Sequence, residues 1–315
     1  MRRRTALLLA VAATATVGTG CSAPKVDPRN ATRPVGPFWV DPASQAARHA
    51  ATEPGVARIA AEPMALTLTG ARTDAADLVR AVAGARTAKR TLVLQVYDLP
   101  HRDVGAGYSA GGAPTAAAYR AVTASVAAAI SGVPTVVVLE PDSLGQLTDL
   151  APADQQVRYE LLRDAVEQYS RLDRVAVYLD GTHSDWLSAE EMARRLGQAG
   201  VGGAQGFAVN VANFQETGAE GRRAEQISDL TGGAHYLVDT SRNGLPASPG
   251  DGSSWCNPPG RRLGEVPTTR TGFPRADGYL WIKRPGESDG SCGPGQPPAG
   301  QWYPAAAAEL LGRDG

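Results

Sequence analysis

Acidic side chains follow several apolar segments of this chain, each at the segment's carboxyl end. Thr135 to Leu139 is a run of apolar and β-branched residues that leads directly into Glu140 and Asp142. The same pattern recurs upstream, where it ends in Asp98, and downstream, where it ends in Asp180. Buried parallel strands have such continuous apolar composition, and chemistry on barrel folds takes place at the carboxyl ends of strands. The pattern therefore predicts acid–base chemistry at one edge of a parallel sheet.

The full set of acids at predicted strand ends and in nearby loops is Asp98, Asp103, Glu140, Asp142, Asp180, Asp239, Glu287 and Asp289. Glycoside hydrolysis needs one protonated and one ionised carboxyl group, and crowded acids raise one another's pKa. A divalent-metal site is an alternative because His183 lies near Asp180, but the other histidines show no ligand spacing. For any single acid of this set, the alternative is a structural role, in which it caps a helix or pairs with an arginine. We expect no metal and no cofactor.

Aromatic and polar residues near these acids favour a carbohydrate ligand. Trp186 follows His183 in one loop, Trp255 lies beside Cys256, and Tyr97 precedes Asp98. Sugar rings place their apolar faces on aromatic side chains, while their hydroxyls need charged and amide partners. Candidates for those polar partners are Asn210, Asn213, Arg242, Asn243 and Lys283.

The N-terminus has the features of an export signal. Three arginines precede an apolar stretch that is too short to cross a membrane, which predicts a signal peptide over residues 1–20. Cys21 follows small residues, so it is a candidate for lipid modification, with simple secretion as the alternative. Residues 21–37 are rich in proline and predict an extended tether. The expected location is therefore outside the cell or at its surface, with membrane contact only through the lipid.

The charge and the cysteine content of the chain indicate which partners and which redox environment to expect. The net charge is −1 without a long basic run, so nucleic acid is not an expected partner. The chain has three cysteines. If Cys21 is lipidated or removed, Cys256 and Cys292 remain as a disulfide pair in an oxidising compartment, and two free thiols are the alternative. We expect a monomer.

Apolar segments and helical patterns alternate along the chain. The predicted strands are Ala65 to Thr69, Thr91 to Tyr97, Thr135 to Leu139, Val175 to Leu179, Gly206 to Val211, His235 to Val238 and Gly278 to Ile282. Helical stretches lie between most of them, including one that begins with a capping box at Ser188 to Glu191. This alternation indicates a parallel sheet with crossover helices, and seven strands favour a barrel, with an open sheet as the alternative. The irregular segment from Ser241 to Asp277 is predicted to be functional.

Several motifs, taken together, resemble one known family. They are Tyr97-Asp-Leu-Pro-His-Arg-Asp103, Glu140-Pro-Asp-Ser-Leu144, Tyr178-Leu-Asp-Gly-Thr-His183, Asn210-Val-Ala-Asn-Phe214, Asp239-Thr-Ser-Arg-Asn-Gly244, Trp255-Cys-Asn257 and Trp281-Ile-Lys-Arg-Pro-Gly-Glu-Ser-Asp289. In this order they resemble glycoside hydrolase family 6, the inverting β-1,4-glucanases. The resemblance implies an α/β fold, a distorted seven-stranded parallel β/α barrel of the TIM-like kind, in a single catalytic domain over residues 38–315.

The resemblance also implies roles for individual residues. Asp142 matches the general acid, and Asp103 matches the acid that supports its protonation and, with Ser109, holds a chain of waters. Tyr97 matches the tyrosine under the distorted sugar, and Asp289 matches the proposed base. The substrate-binding positions are matched by Asp180, His183, Trp186, Asn210, Arg242, Trp255, Lys283 and Glu287.

The chain departs from the family pattern in three places. The first predicted strand, within Met64 to Thr69, lacks the usual tryptophan that stacks on a sugar. Val104 replaces a common cysteine, and Asp-Gly-Thr-His replaces the commoner Asp-Ala-Gly-His. Because the acids are retained, we expect catalysis to be retained as well.

The expected function is an exported, inverting β-1,4-glucanase that cuts internal bonds. Only 17 residues separate Lys283 from Gln301, a stretch too short to roof a tunnel. One alternative is a surface glucan-binding lipoprotein with weak turnover or none. Another is a hydrolase of a different β-glucan, such as mixed-linkage glucan, xyloglucan or a cell-wall glucan.

Overall fold

The computed structural model describes residues 33–246 and 255–312, which form one sheet of seven parallel strands surrounded by helices. The strands are β1 (Leu66–Leu68), β2 (Leu92–Val96), β3 (Thr135–Leu139), β4 (Val175–Asp180), β5 (Gly206–Val209), β6 (His235–Asp239) and β7 (Ala276–Leu280). They neighbour one another in chain order, and every pairing is parallel. Each strand that the sequence predicts is present, with shifts of one or two residues at its ends.

The sheet curls until its two edges meet. Just outside β1 and β7, Met64 forms a parallel bridge with Trp281, and the Ala65 amide donates to the Trp281 carbonyl at 3.0 Å. A single bridge rather than a continuous ladder joins the two edge strands. This geometry confirms the predicted distorted seven-stranded parallel barrel.

Helices cover the outside of the sheet. They are α1 (Gln45–His49), α2 (Ala57–Ala60), α3 (Asp74–Ala88), α4 (Ala116–Ile130), α5 (Pro152–Ser170), α6 (Ala189–Gln198), α7 (Thr217–Leu230) and α8 (Pro304–Leu310). The capping box is confirmed at the start of α6, where the Ser188 hydroxyl accepts from the Glu191 amide at 3.2 Å. Among the described residues, none of the helices is both long enough and apolar enough to span a membrane.

Alternation along the strands divides the core into two clusters. Val137 and Leu139 of β3 pack outward into the large cluster that includes the helix faces, whereas Val136 and Val138 belong to a second cluster inside the barrel. Glu140 lies two residues after Val138, so it is the next inward position along the chain. The inward positions of the strands are therefore apolar in the middle of the barrel and become polar at the strands' carboxyl ends, where chemistry is expected.

A buried carboxylate lies at β7, near the amino ends of the neighbouring strands. The fully buried Asp277 accepts hydrogen bonds at 2.7 Å from the Tyr178 hydroxyl and the Gln205 amide, and its other oxygen lies 2.7 Å from His235 Nδ1. Arg33 Nε lies 2.6 Å from the same carboxylate. Arg33, in the segment before the first strand, thus forms an ion pair with a carboxylate buried inside the barrel.

We expect Arg33→Ala to lower the free energy of unfolding by about 2 kcal/mol, because it leaves the buried Asp277 charge without its cation. This figure is below the 3–5 kcal/mol of a fully buried pair since the Arg33 side chain is 38% exposed. Arg171→Ala is the control, since it breaks an exposed pair with Glu167 that contributes about 0.5 kcal/mol or less. Thermal unfolding measures both variants, and equal melting temperatures would contradict the prediction.

Candidate active site

A cleft of about 810 Å³ opens at the carboxyl ends of the strands. Of the residues that the sequence predicts for the site, those that line it are Tyr97, Asp103, Ser109, Asp142, His183, Trp186, Trp255, Lys283, Glu287 and Asp289. The remaining three, Asp180, Asn210 and Arg242, are buried and do not line the cleft.

Several residues that build the cleft have left-handed backbone. The φ angles are 53° at Asp103, 55° at Glu140, 64° at Asp142 and 62° at Asn210. Residues other than glycine rarely adopt this conformation, and it persists only where the surrounding structure enforces it. The strained positions coincide with the ends of β3 and β5 and with the loop after β2. The backbone there is shaped to direct side chains rather than to continue a strand.

Asp142 carries a carboxyl group that keeps its proton near neutral pH. Burial raises its pKa to about 7, helped by the negative charges of Asp103 and Asp289 and opposed by the Lys283 ammonium. Its backbone amide donates to Asp180 Oδ2 at 3.0 Å. Asp142 therefore lies in the cleft as an acid whose proton is available close to physiological pH.

Asp180 supports Asp142 from behind. Its Oδ2 also accepts from the Thr182 amide at 3.2 Å. Burial raises the pKa of Asp180 well above its usual range, and the negative charge of Asp142 adds to this effect. The structure thus places Asp180 where it fixes the backbone of the cleft acid.

Asp103 is held in the loop after β2. Its Oδ2 accepts from the Ser109 backbone amide at 2.6 Å, and its Oδ1 accepts from Gln146 Nε2 at 3.2 Å. Arg102 fastens the same loop, since its Nε donates to the Ser109 carbonyl at 2.7 Å and its guanidinium lies 4.8 Å from the centre of the Tyr97 ring. Ser109 meets Asp103 through its amide, so its hydroxyl is not needed for that contact.

Asp289 is the cleft carboxylate with the strongest positive surroundings. Arg242 Nη1 donates to both of its oxygens at 2.8 and 2.9 Å, Lys283 Nζ lies 3.0 Å from Oδ1, and the Asn257 amide donates to Oδ2 at 3.0 Å. Burial works to raise the pKa of Asp289, but the charges of Arg242 and Lys283 prevail and lower it to about 2. The group is therefore ionised and a weak proton acceptor.

Three other acids of the predicted set do not line the cleft: Asp98, Glu140 and Asp239. Glu140 accepts from the Asp98 and Leu99 amides, at 3.0 and 3.1 Å for Oε2, and burial raises its pKa to about 8. Asp239 accepts from the Lys283 amide at 2.8 Å. Glu140 and Asp239 thus tie adjacent strand ends together. Within the described residues, no group of three or more His, Cys, Asp or Glu side chains could hold a metal ion.

Aromatic rings lie in two pairs along the cleft. Tyr108 and Trp255 have ring centroids 5.6 Å apart, and His183 and Trp186 have centroids 5.7 Å apart. Burial is the main cause that lowers the pKa of His183 to about 4, so its ring is neutral. The Trp186 side chain is 37% exposed, and its other face packs on Gly145, where a Cβ would approach it to 2.7 Å. An exposed, braced ring of this kind is suited to stack on a sugar.

Asn210 and Arg242 are occupied by contacts within the protein. Asn210 Nδ2 donates to the Asp239 carbonyl at 2.8 Å, and its Oδ1 accepts from the Gln215 amide at 2.9 Å. The Arg242 guanidinium lies 4.2 Å from the centre of the Phe214 ring while it holds Asp289. Both residues shape the cleft from behind.

Glu287 has a partner, Gln45, that the sequence analysis did not identify. Its Oε1 accepts from Gln45 Nε2 at 2.6 Å, and its Oε2 pairs with Arg284 Nη2 at 2.8 Å. Gln45 also donates to the Gly300 carbonyl at 2.7 Å and accepts from the Trp302 amide at 3.0 Å. No local pattern could identify Gln45, because it lies 242 residues from Glu287 in the chain.

The predicted disulfide between Cys256 and Cys292 is present, with Cα atoms 6.4 Å apart. It joins the segment that carries Trp255 to the loop that carries Asp289. Cys21 and the predicted signal peptide over residues 1–20 lie outside the described residues, as does the tether before Arg33.

The cleft combines a protonated acid, an ionised carboxylate and aromatic rings at the carboxyl end of a parallel β/α barrel. This combination is typical of a glycoside hydrolase. Residues 37–314 match the family model described as glycosyl hydrolases family 6, and the chain belongs to that family.

Relatives and solved structures agree with this assignment. Endoglucanase 1 of Streptomyces halstedii is 39% identical over 292 residues, which cover 87% of this chain and 88% of the relative. Endoglucanase A of Cellulomonas fimi is 38% identical, over 88% of this chain and 61% of that longer protein. The structure of endoglucanase Cel6 from Mycobacterium tuberculosis, in complex with a methyl-cellobiosyl-4-deoxy-4-thio-β-D-cellobioside, has a TM-score of 0.86 and 43% identity, covering 90% of this chain and 99% of that one.

Proposed function

We propose that this enzyme hydrolyses internal β-1,4-glucosidic bonds of a glucan, with inversion at the anomeric carbon and with Asp142 as general acid. The observation that carries the proposal is the contrast between two carboxyl groups in one cleft. Asp142 has a pKa of about 7, whereas Asp289 has a pKa of about 2. Two acids with such different pKa values are suited to different tasks in one reaction. Two relatives that are 38–39% identical to this chain in sequence are named endoglucanases.

Asp142 is suited to protonate the leaving oxygen. A general acid works best when its pKa lies near the operating pH, because it is then both protonated and ready to transfer the proton. The negative charges of Asp103 and Asp289 hold that proton on Asp142 until the bond begins to break. As the leaving oxygen takes up the proton, the cleft gains a further anion that favours the positive charge developing on the sugar.

Asp289 is less suited to remove a proton from water. A carboxylate held by Arg242 and Lys283 is a weak acceptor, so we assign it to fixing the loop and the charge of the cleft. Asp103, next to Ser109, is the better candidate to receive the proton of the attacking water through a chain of waters. The assignment of Asp289 departs from the role that the family resemblance implies and rests on its ion pairs with Arg242 and Lys283. The assignment of Asp103 rests on its contact with Ser109, with which the resemblance places a chain of waters.

Sugar binding is assigned to the other cleft residues. Trp186 and Trp255 offer faces for stacking, and Tyr97 lies beside Asp142 at the point of cleavage. His183, Lys283 and Glu287 offer hydrogen bonds to hydroxyls. We assign Asp180, Asn210 and Arg242 to positioning these groups, because their side chains bond to protein partners.

Export of the enzyme is part of the proposal. A signal peptide over residues 1–20, a tether over 21–37 and a catalytic domain over 38–315 fit the composition of the chain. The last residues of the predicted tether pack on the domain, since Arg33 pairs with Asp277 and the Thr91 hydroxyl donates to the Val35 carbonyl. The Cys256–Cys292 disulfide supports an oxidising location outside the cytoplasm. We propose lipid modification at Cys21, which would keep a monomeric enzyme at the cell surface.

Asp142→Asn should reduce turnover by about 100-fold or more, the usual contribution of an acid–base group, while substrate binding is retained.

In the unchanged enzyme the rate should fall as pH rises through about 7, because Asp142 then loses the proton it must donate. Rates on an unactivated β-glucan and binding calorimetry test both points. Turnover within tenfold of the unchanged enzyme would exclude Asp142 as the acid.

The first product should be the α-anomer when a β-linked oligosaccharide is cut. Inversion follows if water attacks the face of the sugar opposite to the departing oxygen that Asp142 protonates. Proton NMR during the first minutes of cellotetraose hydrolysis distinguishes the anomers before they interconvert. If the β-anomer forms first, the mechanism is retaining and the proposed roles are wrong.

Cuts should fall within the glucan chain rather than at its ends. Only 17 residues separate Lys283 from Gln301, and several are Gly or Pro, so this stretch is short for a roof over the cleft. The viscosity of a soluble β-glucan should therefore drop steeply before many reducing ends appear. Slow viscosity loss with cellobiose as nearly the sole early product would show cutting from chain ends instead.

A further inference from the structure

Two polar side chains lie in the floor of the cleft where the strands are otherwise apolar. Thr67 is the middle residue of β1, and Gln95 lies on β2 directly opposite it in the parallel register. Both line the cleft. Gln95 is the one polar residue of β2, and only 9% of its surface is exposed. The site assigned so far makes no use of either residue.

Neither side chain is satisfied by the protein. Within residues 33–246 and 255–312, the Gln95 carboxamide and the Thr67 hydroxyl have no side-chain hydrogen bond to a protein group. A carboxamide carries two donors and an acceptor. The polar atoms of Gln95 and Thr67 are open to the cleft rather than sealed inside the protein, so a ligand in the cleft would replace water as their partner. Because Gln95 faces the cleft, a bound ligand is the natural partner.

The chemistry of the pair indicates which part of a sugar it would bind. A carboxamide presents a donor and an acceptor side by side, which matches two hydroxyls on adjacent carbons. The Thr67 hydroxyl, one strand away, can donate or accept as the sugar requires. The bridge between Met64 and Trp281 brings β1 next to the segment after β7, which carries Glu287. Gln45 and Arg284 hold the Glu287 carboxylate in place there, as a further acceptor in the same cleft.

We propose that Thr67 and Gln95 bind the free vicinal hydroxyls of one glucosyl unit and so select for an unsubstituted glucan at that position. The proposal rests on the glucanase function assigned above and extends it to the substrate class. A substituent on either hydroxyl, such as a carboxymethyl group or a branch, would remove a donor and leave Gln95 unpaired. Sites built to hydrogen-bond a hydroxyl discriminate strongly for this reason.

The test uses Gln95→Met and Thr67→Val, which keep the side-chain size and remove the polar atoms. Each should raise the KM for cellotetraose by roughly three- to tenfold, as expected for one neutral hydrogen bond, with kcat changed by less than about twofold. Each should also reduce the preference for unsubstituted cello-oligosaccharide over carboxymethylated glucan. The pair should couple in a double-mutant cycle, since both residues would contact one sugar.

Thr135→Val is the matched control. Thr135 is also a strand threonine, but its hydroxyl bonds to the Val133 carbonyl at 2.9 Å at the start of β3 and does not line the cleft. This variant should lower the melting temperature and leave KM and substrate preference unchanged. A merely structural role for Gln95 would give the same result as the control.

Unchanged KM and unchanged preference in both cleft variants would overturn the proposal. If Gln95→Met fails to fold, Thr67→Val carries the same two measurements. If the unchanged enzyme cleaves no β-glucan, the proposed function falls, and calorimetric titration with cellotetraose then tests the subsite separately. In that titration, weaker binding by Gln95→Met supports the subsite, and equal binding rejects it.

Discussion

The proton on Asp142 depends on electrostatics that the whole barrel maintains. A lone aspartate in water would be ionised at neutral pH. Here burial and two neighbouring carboxylates keep the pKa near 7, while Arg242 and Lys283 keep one of those neighbours, Asp289, ionised. If Asp289 were neutral, one of the charges that retain the proton would be lost. Arg242 therefore acts on the acid indirectly, by fixing the charge of Asp289, whereas Lys283 does this and also lowers the pKa of Asp142 directly.

The barrel supplies this environment through the simple alternation of its strands. Apolar side chains such as Val136 and Val138 fill the interior, and the next inward position on β3 is Glu140, which accepts from the amides that follow β2. Ties of this kind between strand ends hold the backbone in the left-handed conformations seen at Asp103 and Asp142. The acids that do not line the cleft thus contribute rigidity, and rigidity keeps the cleft acids at fixed separations.

Local patterns in the sequence predict the strands, the caps and the acids, because these depend on near neighbours in the chain. β3 has the predicted bounds, and the Ser188 cap forms as expected. Long-range pairing is not encoded locally. The contact of Gln45 with Glu287 and the burial of Asn210 behind the cleft depend on how distant loops meet. For the same reason, sequence alone assigns Arg242 to the substrate, whereas the structure shows its guanidinium bound to Asp289.

The same buried acids link stability to pH in a direction that suits the chemistry. Burial raises the pKa of Asp142 to about 7 and of Glu140 to about 8. The folded protein therefore keeps these protons at pH values where the same groups in the unfolded chain, with ordinary pKa values, have lost them. Their contribution to stability is therefore full at acid pH and declines as pH rises toward those raised values. Asp289, with its lowered pKa, contributes in the opposite sense, and its contribution is lost only as pH falls toward about 2. Between these limits the fold is stable while Asp142 keeps its proton, so mildly acidic to neutral conditions favour both the structure and the protonated acid.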